Sequence, residues 1–189
     1  FSSGSEMAVG TAAANTISPG EDVTITSGGT YTVQGGTYTN SISINTAEEV
    51  TLEIAGEITV EGDRFITVKN ACKELKIMNN QNYKVTIYWR TLLENENKDA
   101  TVTFEGGIYE GSPGDREVIR NGGTVNLKKV KIKTTNVGMY DGKTIVTNWY
   151  YNSDGILNIQ DGTTLDNGGA SENCVYGGIV NIYGGTITS

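Results

Sequence analysis

The chain contains 189 residues, of which 25 are glycine and 2 are proline, and its formal net charge is −8 at pH 7. A chain of this length fits one domain, and the lack of a Gly-X-Y period excludes a collagen-type fibre. The acidic charge disfavours nucleic acid as a partner, because such binding depends on Lys and Arg contacts to phosphates. No apolar run approaches the roughly 20 residues that span a bilayer, so no membrane insertion of this segment is expected.

The N-terminal segment 1–20 is predicted to be a flexible lead-in. It is mostly small and polar, and Pro19-Gly20 marks a turn at its end. From residue 21 to residue 189, short stretches with period-two alternation of Val, Ile and Thr predict a single all-β domain.

Strands separated by polar turns are predicted along the whole of this domain. The Asn-rich turn at 79–82 is expected to carry side-chain amides that form ladders between neighbouring turns. The polar run 92–99 is expected to be an excursion from the regular stack. The main predicted strands are 23–26, 30–33, 37–39, 41–44, 50–54, 57–60, 64–68, 75–78, 83–89, 101–104, 107–109, 118–120, 124–127, 130–133, 156–159, 174–176 and 179–187.

An imperfect repeat organises these strands. The sequence Val-Asn-Ile-Tyr-Gly-Gly at 180–185 has relatives at 102–107 and 157–162, and a copy without the glycines at 125–132. The second apolar residue of each leading strand recurs at intervals of 23, 27, 23, 32 and 23 residues. These marker residues are Ile54, Ile77, Phe104, Leu127, Ile159 and Ile182.

The repeat length predicts a right-handed parallel β-helix, which is a solenoid of stacked turns. Periods of about 20 to 50 residues are typical of solenoids, and parallel crossovers are right-handed in nearly all sheets. A β-sandwich or jelly roll is the alternative, but it requires more Asn-Gly or Asp-Gly hairpins than this chain contains. Because Cys72 and Cys174 would lie several turns apart, they are expected to be buried free thiols.

Several phrases of the chain resemble a known kind of domain. They are Gly29-Thr30-Tyr31-Thr32-Val33, Ile42-Ser43-Ile44, the stretch 50–56, and the Gly-Gly-x-[Val/Ile]-Asn-[Ile/Leu] phrases at 122–127 and 177–182. Together they resemble pectate-lyase-like β-helix domains in large, adhesin-like surface proteins of gut bacteria, over residues 21–189. The resemblance implies an extracellular location on the bacterial cell surface and further domains in the same protein.

Catalysis by this segment is not expected. The chain has no His, and it lacks the Asn-Thr-Asp, Asp-Asp, Gly-His-Gly and Arg-Ile-Lys signatures of the resembling hydrolases and the Val-x-Pro-Arg signature of the lyases. Asp154, Asp161 and Asp166 are close in sequence, but turn-forming Asp beside Gly explains them better than a catalytic group. A polysaccharide-active enzyme, either a lyase or a glycoside hydrolase, is kept only as the alternative function.

No cofactor is predicted. Calcium binding at an Asp-Gly corner is a weaker expectation, because Ca²⁺ requires six to eight oxygen ligands and neither an EF-hand loop nor a nonapeptide repeat occurs in the chain.

An aromatic interval late in the chain is the predicted binding surface. Aromatic faces stack on sugar rings and anchor protein interfaces, and neighbouring Asn and Asp side chains supply hydrogen bonds. The competing interpretation is that the rings fill the core or cover an edge of the coil. The predicted function is a non-catalytic, adhesin-like module that binds carbohydrate or a host or matrix partner, and a structural stalk is a further alternative. The predicted binding residues are Tyr140, Trp149, Tyr150, Tyr151, Asn152 and Asp154.

Overall fold

The computed structural model describes residues 5–7, 15–88, 91–112, 117–135, 144–169 and 173–189. These residues form short strands joined by turns and bends, and none of them lies in a helix. In chain order the strands are β1 (Ser5–Met7), β2 (Thr16–Ile17), β3 (Val23–Ile25), β4 (Gly29–Val33), β5 (Gly36–Tyr38), β6 (Ile42–Ile44), β7 (Val50–Ile54), β8 (Ile58–Val60), β9 (Arg64–Val68), β10 (Glu74–Met78), β11 (Lys84–Tyr88), β12 (Thr91–Asn95), β13 (Thr101–Glu105), β14 (Ile108–Ser112), β15 (Ile119–Asn121), β16 (Thr124–Lys128), β17 (Lys131–Thr134), β18 (Val146–Thr147), β19 (Trp149–Tyr150), β20 (Ser153–Asp154), β21 (Ile156–Ile159), β22 (Thr164–Asp166), β23 (Val175–Tyr176), β24 (Ile179–Ile182) and β25 (Thr186–Thr188).

Three parallel sheets run the length of the molecule. Sheet A has the order β1-β3-β6-β9-β12-β15-β18-β23, sheet B has β2-β4-β7-β10-β13-β16-β21-β24, and sheet C has β5-β8-β11-β14-β17-β22-β25. From β3 onward, the chain passes from sheet A to sheet B to sheet C and then returns to sheet A one strand further along, and the pair β19–β20 is inserted between β18 of sheet A and β21 of sheet B. The predicted all-β parallel solenoid, or β-helix, is therefore confirmed, and the sandwich is excluded because its sheets are antiparallel. The right hand of the coil stays a prediction.

The core is a set of columns of apolar side chains between the three sheets. Period-two alternation directs Val, Ile and Leu inward from each strand, and the next turn places an equivalent residue beside each one. One column in sheet B confirms the spacing of five of the six sequence markers. Its members, in order, are Ile77, Phe104, Leu127, Ile159 and Ile182.

The first marker was assigned to the wrong residue. Ile77 pairs with Leu52 and not with Ile54, so the first interval is longer by two residues than predicted. Leu52 and Ile54 are both buried and both face the core. A shift by two residues keeps the same face of a strand inward, so the apolar pattern alone does not choose between them.

Sheet pairing begins within the segment predicted to be a lead-in. β1 pairs with β3, β2 pairs with β4, and Ile17 is buried in the core. The small polar residues around these strands carry little apolar signal, which is why the pattern places the start of the coil only at residue 21.

The predicted excursion at 92–99 is wrong over its first half. Residues 91–95 form β12, an inner strand of sheet A that is buried along its whole length. The Glu and the Asn of the sequence Leu-Leu-Glu-Asn predict a loop on the assumption that both side chains are exposed to water. In the fold, Glu94 is paired with arginines and Asn95 is hydrogen-bonded to another asparagine, so both tolerate burial.

A buried asparagine ladder runs across sheet A. Asn95 Nδ2 donates to Asn121 Oδ1 at 3.2 Å, and Asn121 Nδ2 donates to Asn148 Oδ1 at 2.8 Å. All three side chains have no solvent-exposed surface. The amide groups also bond to the backbone where the chain leaves sheet A, for example at Gly123 N and Ile156 O. The ladder therefore satisfies the backbone polar groups of three successive corners.

A second ladder lies on the outer face of sheet B, where Asn181 Nδ2 donates to Asn158 Oδ1 at 2.9 Å and Asn158 Nδ2 donates to Asn126 Oδ1 at 2.8 Å. The ladders thus form away from the predicted turn at 79–82. In that turn, Asn79 bonds to the backbone of Tyr83, and Asn82 Oδ1 accepts the amide N–H of Gly107 from the next turn.

Both cysteines are buried free thiols, as predicted. Burial raises the pKa of Cys72 and of Cys174 to about 11, so the reactive thiolate is scarce at neutral pH. We expect no thiol to react with Ellman's reagent in the native protein at neutral pH, and both to react after denaturation in guanidinium chloride. One rapid equivalent in the native protein would contradict the buried positions.

Candidate functional site

A short hairpin interrupts the parallel coil after β18. Within the described residues, β19 and β20 form the only antiparallel pair, with Trp149 opposite Asp154 and Tyr150 opposite Ser153. We call residues 149–154 the aromatic hairpin. Its two-residue turn has positive φ at both positions, 50° at Tyr151 and 56° at Asn152, which is the pattern of a type I′ turn.

The turn is favourable for one of its residues and strained for the other. Asn adopts the left-handed region readily, because its short polar side chain bonds locally. Tyr does not, because its Cβ approaches the following carbonyl, and this conformation costs about 1 kcal/mol or more for a bulky residue. Tyr151 is therefore held in a conformation in which glycine would be easier to accommodate.

Tyr150 attaches the aromatic hairpin to the outer face of sheet A. Its hydroxyl donates to Glu94 Oε2 at 3.1 Å, and Arg120 Cζ lies 5.7 Å from the centre of its ring. Burial, followed by the nearby charge of Glu94, raises the pKa of Tyr150 to about 12. The hydroxyl is thus a stable donor at any physiological pH.

The carboxylate that receives this bond is buried under the hairpin. Glu94 lies in an outward row of sheet A, between Thr67 and Arg120 of the neighbouring strands, and its side chain is 1% exposed. Arg64 Nη1 lies 3.1 Å from Oε2, and Arg120 Nη1 lies 3.6 Å from Oε1. Glu94 is therefore an anchor for the hairpin, and both of its carboxylate oxygens face arginines.

The other two rings of the aromatic hairpin face solvent. Trp149 is 49% exposed and Tyr151 is 65% exposed, while Tyr150 is half-buried. Tyr151 packs edge to face on Tyr150, with ring centres 4.8 Å apart. The sequence allowed these rings either to bind a ligand or to fill the core or cover an edge of the coil. Their exposure excludes core filling for Trp149 and Tyr151.

A groove of about 430 Å³ lies beside the exposed tip of the hairpin. It is polar, and its far side is formed by the corner that follows β12. The residues that line it are Asn70, Glu96, Asn97, Lys98, Asp99, Tyr151, Asn152 and Ser153. We call it the hairpin groove.

The predicted binding residues are distributed as follows. Trp149, Tyr150, Tyr151, Asn152 and Asp154 all belong to the aromatic hairpin, and Tyr140 lies outside the described residues. Asn148, directly before the hairpin, is fully buried, and both of its amide hydrogens are bonded to backbone carbonyls. Its amide therefore holds the backbone, and its position in the buried ladder is not visible in the sequence.

The acidic residues considered for catalysis lie on different parts of the coil. Asp154 is in the hairpin over sheet A, Asp161 is at the corner after β21 in sheet B, and Asp166 ends β22 in sheet C. In the described part of the chain, no group of three His, Cys, Asp or Glu side chains is arranged to hold a metal ion. The same residues include no helix with the length and hydropathy of a membrane span.

A second groove, of about 310 Å³, occupies the outer face of sheet A on earlier turns. No sequence motif singled it out, because its hydroxyl and charged side chains come from three different turns of the coil. It is lined by Asp22, Thr39, Ser41, Ser43, Asp63, Arg64, Thr67 and Lys69. We call it the sheet A groove.

Comparisons with models of protein families, with curated proteins and with solved structures find no match to this chain. The assignment of the β-solenoid therefore rests on the strand pairing of the chain itself.

Proposed function

We propose that the chain is a non-catalytic carbohydrate-binding module, of the kind that surface adhesins carry, and that the aromatic hairpin and its groove form the binding site. A rigid solenoid supports the hairpin, and the exposed rings rise beside polar groups that can bond sugar hydroxyls. The resemblance of residues 21–189 to surface proteins of gut bacteria supports an extracellular role.

The strained, exposed tyrosine at the tip of the hairpin carries this proposal. A type I′ turn selects Asn or Gly, so a Tyr at its first position lowers the stability of the turn itself. Its ring is 65% exposed, so it recovers little of that energy from the core. Strain that persists at an exposed aromatic residue is typical of a binding position.

The groups around the ring suit a sugar. The flat faces of Trp149 and Tyr151 can pack on the C–H face of a pyranose ring. Asn152 and Ser153 beside them, and Asp99 across the groove, offer both donors and acceptors to its hydroxyls. Because the hairpin is anchored through Tyr150, Glu94 and Arg120, these groups are positioned before the ligand arrives.

The experiment that tests the proposal is a glycan-array screen of the purified chain, with and without calcium. Assays for new reducing ends and for unsaturated products are run beside it on the glycans that bind. Saturable binding without products supports the module. Formation of products would replace it with the enzyme alternative, and a lack of binding to every glycan would favour a stalk or a protein receptor.

Tyr151→Asn is expected to separate binding from folding. Loss of the stacked ring should weaken glycan binding about tenfold, since one aromatic contact is worth about 1.4 kcal/mol in this setting. The free energy of unfolding should change by less than about 0.5 kcal/mol, because relief of the backbone strain offsets the lost contact with Tyr150. Isothermal titration calorimetry and urea denaturation measure the two quantities.

Tyr183→Asn is the matched control for this prediction. Tyr183 is 70% exposed, and it follows β24 in sheet B, away from the hairpin. We expect its replacement to leave glycan affinity unchanged. Equal losses in the two variants would indicate non-specific stacking, and an unchanged affinity of Tyr151→Asn would remove the hairpin from the site.

A further inference from the structure

We infer that the sheet A groove and the hairpin groove form one extended cleft that binds a linear, uncharged oligosaccharide and discriminates against acidic glycans. The inference rests on the proposed carbohydrate-binding function and adds to it a second part of the site and a class of ligand. It is carried by the ion pairs that join residues of the two grooves, by an unpaired buried hydroxyl in the sheet A groove, and by the balance of charge along both grooves.

Two ion pairs join residues of the two grooves. Lys69 lines the sheet A groove, Glu96 lines the hairpin groove, and Lys69 Nζ lies 3.1 Å from Glu96 Oε2. Arg64, also in the sheet A groove, lies within 4.0 Å of Glu96 Oε1. At a strand spacing of about 4.8 Å, the distance from β3 to β12 across sheet A is about 14 Å, which is longer than one sugar ring.

The floor of the sheet A groove contains a hydroxyl with an unused hydrogen-bonding capacity. Thr67 is 1% exposed and lies in the outward row between Ser43 and Glu94. Its Oγ1 makes no hydrogen bond to any described residue. A buried polar group without a partner costs stability, so its retention in a groove lined by other hydroxyls indicates that a ligand supplies the partner.

The side chains around Thr67 match a polyol. Ser41 and Ser43 are hydroxyls that can donate or accept, and the Asp63 carboxylate accepts. A sugar presents neighbouring hydroxyls with both properties, so each can bond to one donor and one acceptor. An apolar ligand would leave this floor unsatisfied.

Charge selects the class of sugar. Along the two grooves, the carboxylates of Asp22, Asp63, Glu96 and Asp99 outnumber the cations of Arg64, Lys69 and Lys98. Arg64 and Lys69 already have carboxylate partners, since Arg64 pairs with Asp63, Glu94 and Glu96, and Lys69 pairs with Glu96. A uronate would bring further negative charge into an acidic cleft of a protein whose net charge is −8.

The test begins with two sets of soluble probes. Uncharged gluco-, manno- and xylo-oligosaccharides from the disaccharide to the hexasaccharide are compared with oligogalacturonates of the same lengths by isothermal titration calorimetry. We expect affinity to rise with length for at least one uncharged series, and to be at least about tenfold weaker for the galacturonates at low salt. Tighter binding of a galacturonate than of every uncharged probe would overturn the inference.

Thr67→Val tests the second part of the site, with Thr59→Val as the control. Both residues lie on inner strands, but Thr59 is in sheet C, whose strands contribute no residue to either groove. Loss of one buried hydrogen bond should weaken binding of the hexasaccharide by about five- to tenfold in Thr67→Val. Disaccharide binding should be unaffected, because the hairpin groove holds it, and Thr59→Val should behave as the unmodified protein.

The outcomes separate this inference from the proposed function. Suppose that the unmodified chain binds glycans, that Tyr151→Asn weakens this binding, and that Thr67→Val does not alter hexasaccharide affinity. The hairpin site then stands, and the extended cleft is overturned. If no uncharged probe binds the unmodified chain although the glycan array shows binding, the extended cleft is overturned and the hairpin site stands. If no glycan of the array binds either, both are overturned. Thermal unfolding of Thr67→Val serves as the folding check, and we expect no loss of stability because the hydroxyl has no partner to lose.

Discussion

Asn121→Ala is expected to lower the free energy of unfolding by about 4 kcal/mol, a large share of the stability of a domain of this size. Asn121 is the central member of the buried ladder and has no exposed surface. Its amide bonds to Asn95, Asn148, Gly123 and Ile156. Alanine would leave donors and acceptors of all four without a partner in a place that water does not reach, and each such group costs about 1 to 3 kcal/mol.

Asn158→Ala is the control for this prediction, because it removes the central member of the outer ladder. Asn158 makes the same amide-to-amide bonds to Asn126 and Asn181, but its surroundings are partly open to solvent. Water can replace those bonds, so we expect a loss of about 0.5 to 1 kcal/mol. Guanidinium chloride denaturation of both variants measures the difference. Similar values for the two would mean that burial does not decide the strength of a ladder.

Glu94→Gln is expected to lower the free energy of unfolding by about 2 kcal/mol and to loosen the aromatic hairpin. The change keeps the shape of the side chain but removes a buried carboxylate that pairs with Arg64 and Arg120, while Glu96 and Glu117 still pair with these two arginines. Because Glu94 is buried, water does not replace the lost pairs as it does for an exposed pair, so the cost is larger. Tyr150 loses the charged acceptor of its hydroxyl and keeps only a weaker, neutral one, so the attachment of the hairpin to sheet A is weakened.

Two readouts make this prediction specific. In a Trp89→Phe background Trp149 is the only tryptophan, so quenching of its fluorescence by acrylamide reports on the position of the hairpin. We expect stronger quenching in Glu94→Gln, and weaker glycan binding, because the rings are no longer held in place. Urea denaturation gives the change in stability.

Glu110→Gln supplies the comparison for an exposed ion pair. Glu110 Oε2 lies 2.8 Å from Lys84 Nζ on the outer side of sheet C, and both side chains are largely exposed. We expect a loss below about 0.5 kcal/mol. If Glu94→Gln proves as mild as Glu110→Gln, the buried cluster is not the anchor of the hairpin.

The architecture was predictable because a solenoid repeats the same turn of short strands and corners along the chain. Alternating apolar residues, Gly-Gly corners and a recurring interval between Phe104, Leu127, Ile159 and Ile182 each report the same turn, and their agreement identifies stacked parallel strands. The register at Leu52 was not predictable in this way, because two inward residues of one strand satisfy the pattern equally well.

The aromatic interval was recognisable in the sequence as a candidate surface, but its geometry was not. Three adjacent aromatic residues mark 149–151 in the sequence. Which of them is anchored and which are exposed depends on the residues of sheet A under the hairpin. Tyr150 becomes an anchor because Glu94 of β12 and Arg120 of β15 face it from two other turns of the coil. Trp149 and Tyr151 are exposed because the chain leaves the coil at Trp149 and reverses in a type I′ turn at Tyr151 and Asn152.

By itself, the sequence determined the all-β class, the solenoid, the free thiols and the location of the aromatic residues, because each of these depends on neighbours along the chain or on a repeated interval. Only the tertiary structure decided which polar residues are buried and what they hold. Glu94 and Asn95 read as loop residues in the chain. Their partners Arg120 and Asn121 lie on the next turn of the coil, and a buried polar side chain is stabilised by such partners.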